Sequence, residues 1–223
     1  NVRMIGSEEN LFIGRGIAAG IRAATTKLIL FLEKDWVILQ EDAVWRPKLA
    51  AALRLVNDGV DVVRLRDQHQ STPCDRHGIG WGPALGIPFS VMTADGLSHL
   101  GWKTPPRPPQ VFVTNCMEPE GAATSLFGSD DPSSAWPDVV TKCHKSPDFF
   151  CVPMGWNLYN NNPTLMRLEF HQHYVDPVMQ QDTGLSKGWL EAVGMHAPFW
   201  MFGNFTAAIP KHGLFAHVEI REH

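Results

Sequence analysis

The sequence predicts an α/β fold, with a mainly parallel sheet flanked by helices and a loop-rich, proline-containing insert. Three observations predict it. The first 42 residues read as strand, helix and buried strand, the order of a βαβ unit. A second helix and strand follow directly. From about Asp67 to Pro153 the periodic signals thin out and prolines accumulate, before order returns in the last third.

Val2-Arg3-Met4-Ile5 is a short strand. Ile13, Ile17, Ile21 and Ala24 recur at helical spacing, and Gly14, Gly16 and Gly20 allow close packing or a ligand nearby. Leu28-Ile29-Leu30-Phe31-Leu32 is a continuous apolar run, the pattern of a strand covered on both faces. It ends in Glu33-Lys34-Asp35-Trp36.

A second helix carries Trp45, Leu49, Ala52, Leu53 and Val56 on one face, with Pro47 in its first turn and Asn57-Asp58-Gly59 as its stop. A strand runs from Val60 to about Arg66. Within the insert, short strands are expected at Phe89–Met92, Val111–Thr114 and Phe149–Val152. Asn162-Pro163 predicts a helix start that runs through Leu165, Leu168 and Glu169 to Tyr174. Ser186–Val193 predicts a shorter helix ended by Gly194, and Phe205–Ile209 and Leu214–Ile220 predict two last strands.

With 223 residues, 44% hydrophobic and 19% charged, the chain can bury one ordinary core. A net charge of -4 supplies no global basic field, so nucleic acid is not an expected partner. No apolar run reaches the ~18 residues that a membrane span needs. The four cysteines, Cys74, Cys116, Cys143 and Cys151, contain no Cys-x-x-Cys pair. Two disulfides in any of three pairings, or four buried thiols, remain open. Asn204-Phe205-Thr206 is a glycosylation sequon and points toward a Golgi or ER lumen, with a cytoplasmic home the alternative.

Chemistry concentrates first at Glu33-x-Asp35. Two carboxylates at the end of a strand can both reach a divalent cation, and such strand ends are where α/β sheets collect ligands. Taken alone, the same motif also suits a solvated turn. The loop Trp156-Asn157-Leu158-Tyr159-Asn160 interleaves rings with amides, which suits sugar recognition, so Trp156, Tyr159 and Asn160 are candidate acceptor contacts. Arg64 and Arg66 could flank a phosphate, with solvated charges as the default. His171-x-His173 on a helix points two ways and makes a poor metal pair. A hydrolase built on the ten histidines lacks any His-x-x-x-His helix.

The order Ser7-Glu8-Glu9-Asn10, helix, Leu28–Leu32, Glu33-Lys34-Asp35 resembles the middle of the GT-A glycosyltransferase fold, and most of all the broad inverting glycosyltransferase family two. Glu33 stands in place of the first Asp of that family's metal motif, and Phe12 stands near a position where the family often has Gly. The resemblance covers residues 2–45 well and 155–220 loosely. It implies a Rossmann-type sheet, a single GT-A-like domain over residues 1–223, and a nucleotide-binding part missing upstream of Asn1. It further implies Mn²⁺ or Mg²⁺ held by Glu33, Asp35 and His217, the last in Gly213-Leu214-Phe215-Ala216-His217. Asn10, Arg15, Glu33 and Asp35 would contact a nucleotide-sugar donor, a UDP-sugar in the first instance. Glu191, in Trp189-Leu190-Glu191, would be the base, with Asp182 and Glu169 as alternatives. The implied reaction is inverting sugar transfer to a hydroxyl of a glycan, protein or lipid. The rival expectation is a non-catalytic scaffold or partner-binding protein that keeps the fold.

Overall fold

The structure is a computed structural model. It describes residue 5 and residues 12–33, 36–66, 131–135, 137–154, 163–179, 203–210 and 212–217. Eight strands are described: β1 (Leu28–Phe31), β2 (Trp36–Ile38), β3 (Val62–Arg64), β4 (Thr141–Cys143), β5 (Ser146–Pro153), β6 (Thr164–Arg167), β7 (Thr206–Pro210) and β8 (Phe215–His217). Helix α1 (Phe12–Ala23) precedes β1, and α2 (Asp42–Asn57) lies between β2 and β3. A short α3 (Pro132–Ala135) precedes β4. After β6 the chain winds through α4 (Leu168–Phe170), a π-helical turn (His171–Val175) and α5 (Asp176–Met179).

Six strands form one sheet in the order β1-β6-β3-β7-β5-β4, and β2 pairs with β8 in a second. The sheet is mixed and mostly antiparallel, which corrects the expectation of a mainly parallel one. Among the described strand pairs of this sheet, β3 and β7 alone run parallel. The reason is β6. Strands β1 and β3 run the same way, but β6 stands between them and opposes both. Strand β5 likewise opposes both β7 and β4.

Helix α1 forms where its apolar spacing predicts, with Ala18 and Ile21 buried and Ile17 half-buried. A Cβ on Gly16 or Gly20 would meet nothing within 4 Å among the described residues, so their packing does not require glycine at either position. Strand β1 is not covered on both faces. Leu30 and Leu32 are exposed, because β1 lies at one edge of the described sheet with β6 as its described neighbour. The strand buried along its whole length is β3, inside the sheet, with Val62, Val63 and Arg64 all covered.

Helix α2 starts a full turn earlier than its proline suggests, so Pro47 lies inside it. The turn ahead of Pro47 is held by Asp42, whose carboxylate accepts from Trp45 Nε1 at 2.9 Å and from Arg46 at 2.8 and 3.1 Å. Those contacts, Arg46 first, also hold the Asp42 carboxyl below its ordinary range. At the other end Gly59 takes φ of 108°, a conformation open to glycine without strain, and Val60 N–H returns to the Leu55 carbonyl at 3.0 Å. Ala52, Leu55 and Val56 press onto Val63, Leu65 and Leu165 of the sheet. Each large side chain so buried contributes about 1.5–3 kcal/mol.

Residues 164–167 are a strand, not the helix that Asn162-Pro163 suggests. Pairing on both sides and burial of Thr164, Leu165 and Met166 outweigh the local helix signal. The helix begins only after Arg167. The strands expected at Phe149–Val152 and Phe205–Ile209 lie within or overlap β5 and β7, and Leu214–Ile220 overlaps β8. Cys143 and Cys151 form a disulfide between β4 and β5, with Cα atoms 5.1 Å apart. The segments Val2–Met4, Phe89–Met92, Val111–Thr114, Ser186–Val193 and 218–220, together with Cys74, Cys116 and Asn162, lie outside the described residues.

Candidate functional site

Strand β1 delivers Glu33, half-buried, to one end of the sheet. The chain then turns tightly, with Trp36 N–H donating to the Glu33 carbonyl at 3.4 Å. Strand β2 leaves this turn and pairs antiparallel with β8, so that Trp36 opposes His217, Val37 opposes Ala216 and Ile38 opposes Phe215. Leu39 N–H extends the ladder to the Leu214 carbonyl at 3.1 Å.

Strand β8 is also fastened to the end of β3. Leu214 and Phe215 N–H both donate to the Leu65 carbonyl, at 2.7 and 3.1 Å, and Arg66 bridges to Phe215 in parallel. The ends of β1 and β3 therefore share a rim with the β2–β8 ribbon. Directly opposed residues in an antiparallel pair have Cα atoms roughly 4.5–5.5 Å apart. His217, near the end of the chain, thus enters the structure beside the residue that follows Asp35.

Trp36 is the hinge of this rim. It is only 8% exposed and belongs to the main core with Leu65, Leu214 and Phe215. The Arg66 guanidinium lies over its indole, 5.3 Å from the ring centre. A cation so placed gains roughly 0.5–1 kcal/mol, or more once desolvated. Arg64 is buried inside β3 rather than solvated. Sequence reasoning placed Trp36 at the close of this turn but gave it no role and did not foresee its stack with Arg66. The signal was the aromatic residue closing Glu33-Lys34-Asp35-Trp36, together with a basic residue at the end of the next strand.

Glu33 is the one predicted metal ligand whose side chain is described. His217 is placed by its backbone register, and Asp35 lies outside the described residues. Among the described residues, no three or more His, Cys, Asp or Glu side chains converge as a metal would require. Arg15 lies exposed in the N-terminal half of α1. Asn10, Trp156, Tyr159, Asn160, Asp182 and Glu191 lie outside the described residues. Glu169 follows Leu168, whose N–H donates to the Lys27 carbonyl at 2.8 Å, so it starts from the opposite end of β1 to Glu33.

The two helical histidines part ways as their spacing predicts. His173 is exposed, and its Nδ1 lies 2.9 Å from the Glu169 carbonyl. His171 is fully buried in the π-helical turn, stacks on Phe31 at 5.9 Å, and neither ring nitrogen meets a hydrogen-bond partner among the described residues. Burial pushes its pKa down to about 4, against a smaller upward pull from Asp176. A single π-turn inside a helix often accompanies a special local role. Here it seats an imidazole in the apolar layer between the helix and β1.

Compared with protein-family models, curated proteins and solved structures, the chain matches none.

Proposed function

We propose that the protein is a metal-dependent glycosyltransferase with a GT-A-like domain. The observation that carries this reading is the opposition of Trp36 and His217. It sets the backbone of the late histidine beside a turn that carries two carboxylates in sequence, Glu33 and Asp35. Carboxylates with one imidazole suit Mn²⁺, and carboxylates with water suit Mg²⁺. Such an ion would offset the charge on a departing nucleotide diphosphate.

The chain's own groups have separate tasks in this reading. Glu33, Asp35 and His217 hold the ion. Arg66, kept in place by Trp36, adds positive charge at the same rim for the donor's phosphates. Asn10 and Arg15 contact the nucleotide sugar, and Trp156, Tyr159 and Asn160 present the acceptor. Glu191 takes the acceptor hydroxyl's proton, and the anomeric carbon inverts. A UDP-sugar is the first donor to try.

The test is calorimetry on the full-length protein with Mn²⁺, then UDP, followed by a transfer assay and linkage analysis of the product. Metal-dependent UDP binding lost in Asp35→Asn supports the reading. Heat from neither ligand rejects it, and a product of retained configuration rejects Glu191 as the base.

A second reading, a partner-binding module on the same fold, has its own support. Leu30, Leu32, Val37, Ile38, Leu39 and Val44 are all exposed on or beside β1, β2 and the start of α2. Six such residues within one short stretch of chain, 30–44, offer apolar surface that a partner could cover. Absence of ligand heat together with retained fold favours this alternative.

A further inference from the structure

The sequon at the start of β7 carries an inference independent of sugar transfer by this protein. Asn204-Phe205-Thr206 has a permitted middle residue. The other Asn-x-Ser/Thr triplet in the chain, Asn162-Pro163-Thr164, is barred by its proline, and Thr164 is buried. Asn204 is exposed, just before β7.

Its neighbours are held without it. Phe205 packs edge-on against Phe170 at 5.2 Å and Tyr174 at 4.7 Å, and its carbonyl accepts from Met154 N–H at 2.9 Å. Thr206 N–H donates to the Asp61 carboxylate at 2.8 Å. The Asn204 side chain is therefore displayed on an anchored backbone, where a bulky substituent displaces none of these contacts.

Topology also sets Asn204 away from the candidate site. Strand β7 runs parallel to β3, with Val62 level with Ala207. Asn204 thus lies at the end where β3 begins, whereas Glu33 and Arg66 lie where β1 and β3 end. The chemical setting agrees. Cys151, half of the Cys143–Cys151 disulfide, pairs across the sheet with Ala208, two residues past the sequon. Disulfides persist in the oxidising compartments in which N-glycans are added.

We propose that Asn204 is an N-glycosylation site. Its Nδ2 forms a bond to the anomeric carbon of the reducing-end sugar of a lipid-diphosphate oligosaccharide. The bond from that carbon to the diphosphate breaks, the lipid diphosphate leaves, and the amide proton passes to base. The acceptor step takes place on the chain before β7 closes, and the finished fold leaves the glycan in solvent.

The test is peptide mass spectrometry on the protein purified from its own cells, with amidase release in heavy-oxygen water. The expected result is conversion of Asn204 to heavy-oxygen Asp. The modification is lost in Asn204→Gln and Thr206→Ala, kept in Thr206→Ser, and accompanied by an unchanged urea midpoint in Asn204→Gln. Unmodified Asn204 in the source protein overturns the proposal. So does a glycan that persists in Asn204→Gln.

Discussion

Asp61 and Thr206 hold each other twice, through Asp61 N–H to the Thr206 carbonyl at 3.1 Å and Thr206 N–H to the Asp61 carboxylate at 2.8 Å. The same carboxylate accepts from Arg167 Nη2 at 3.1 Å, and Arg167 Nη1 donates to the Val56 carbonyl at 3.3 Å. One acid thus ties the start of β3 to β7 and to the end of β6.

Asp61→Ala removes the shared acceptor and leaves a partly buried guanidinium without its anion. A loss of about 2 kcal/mol is expected, below the fully buried case because Arg167 is partly exposed. A urea titration checks it, and Asp61→Asn should recover part of the loss by keeping one acceptor for Thr206.

His171 makes stability depend on pH in a known direction. Its folded pKa, about 4, is below the ordinary value of 6.5, so the folded state disfavours the proton. Its contribution is present above pH 6.5 and declines as pH falls through 4. The full loss is on the order of 3 kcal/mol. Comparing urea midpoints at neutral and acid pH in wild type and His171→Phe reads this out. The variant, which keeps the stack on Phe31, should show a smaller decline across that window.

Reducing the Cys143–Cys151 bridge should destabilise the β4–β5 edge. The two cysteines are 8 residues apart, and closing so short a loop contributes about 2.5 kcal/mol on the chain-entropy account. Cys143→Ser with Cys151→Ser should lower the thermal midpoint by an amount matching that loss, which a thermal melt of the variant reads out.

The metal reading predicts a sharp contrast between histidines. His217→Ala should weaken Mn²⁺ binding by more than the ~10–100-fold that losing an outer-shell partner costs. His173→Ala, exposed on the helix after β6, should leave it unchanged. Equal Mn²⁺ affinity in wild type and His217→Ala would remove the imidazole from the proposed site.

Parts of this architecture were legible because local pattern and tertiary fate agree. Ile17 and Ile21 read as one helical face and both turn inward, and Asn57-Asp58-Gly59 reads as a stop and is one. Strand direction was not legible, because alternation and apolar runs are the same read forward or backward. Leu28–Leu32 looked doubly covered because its composition matches a central strand, and composition carries no record of edge position. Thr164–Arg167 was misread because Asn162-Pro163 is a strong local start signal, overruled by neighbours distant in sequence. Glu33 was nominated from its own short motif and His217 through the family resemblance. The backbone pairing of Trp36 with His217 joins residues so distant in sequence that no local window contains it.

The place of β6 has a consequence for how the protein is made. On the ribosome, β1 and β3 emerge early, yet the strand that joins them is encoded in the final third. Until residues 164–167 appear, the nascent chain carries apolar strands with open edges, the surfaces that chaperones shield. Birth order and sheet order run against each other here, so assembly is a late event, and a chain released before β6 would hold the pieces of a sheet without its keystone.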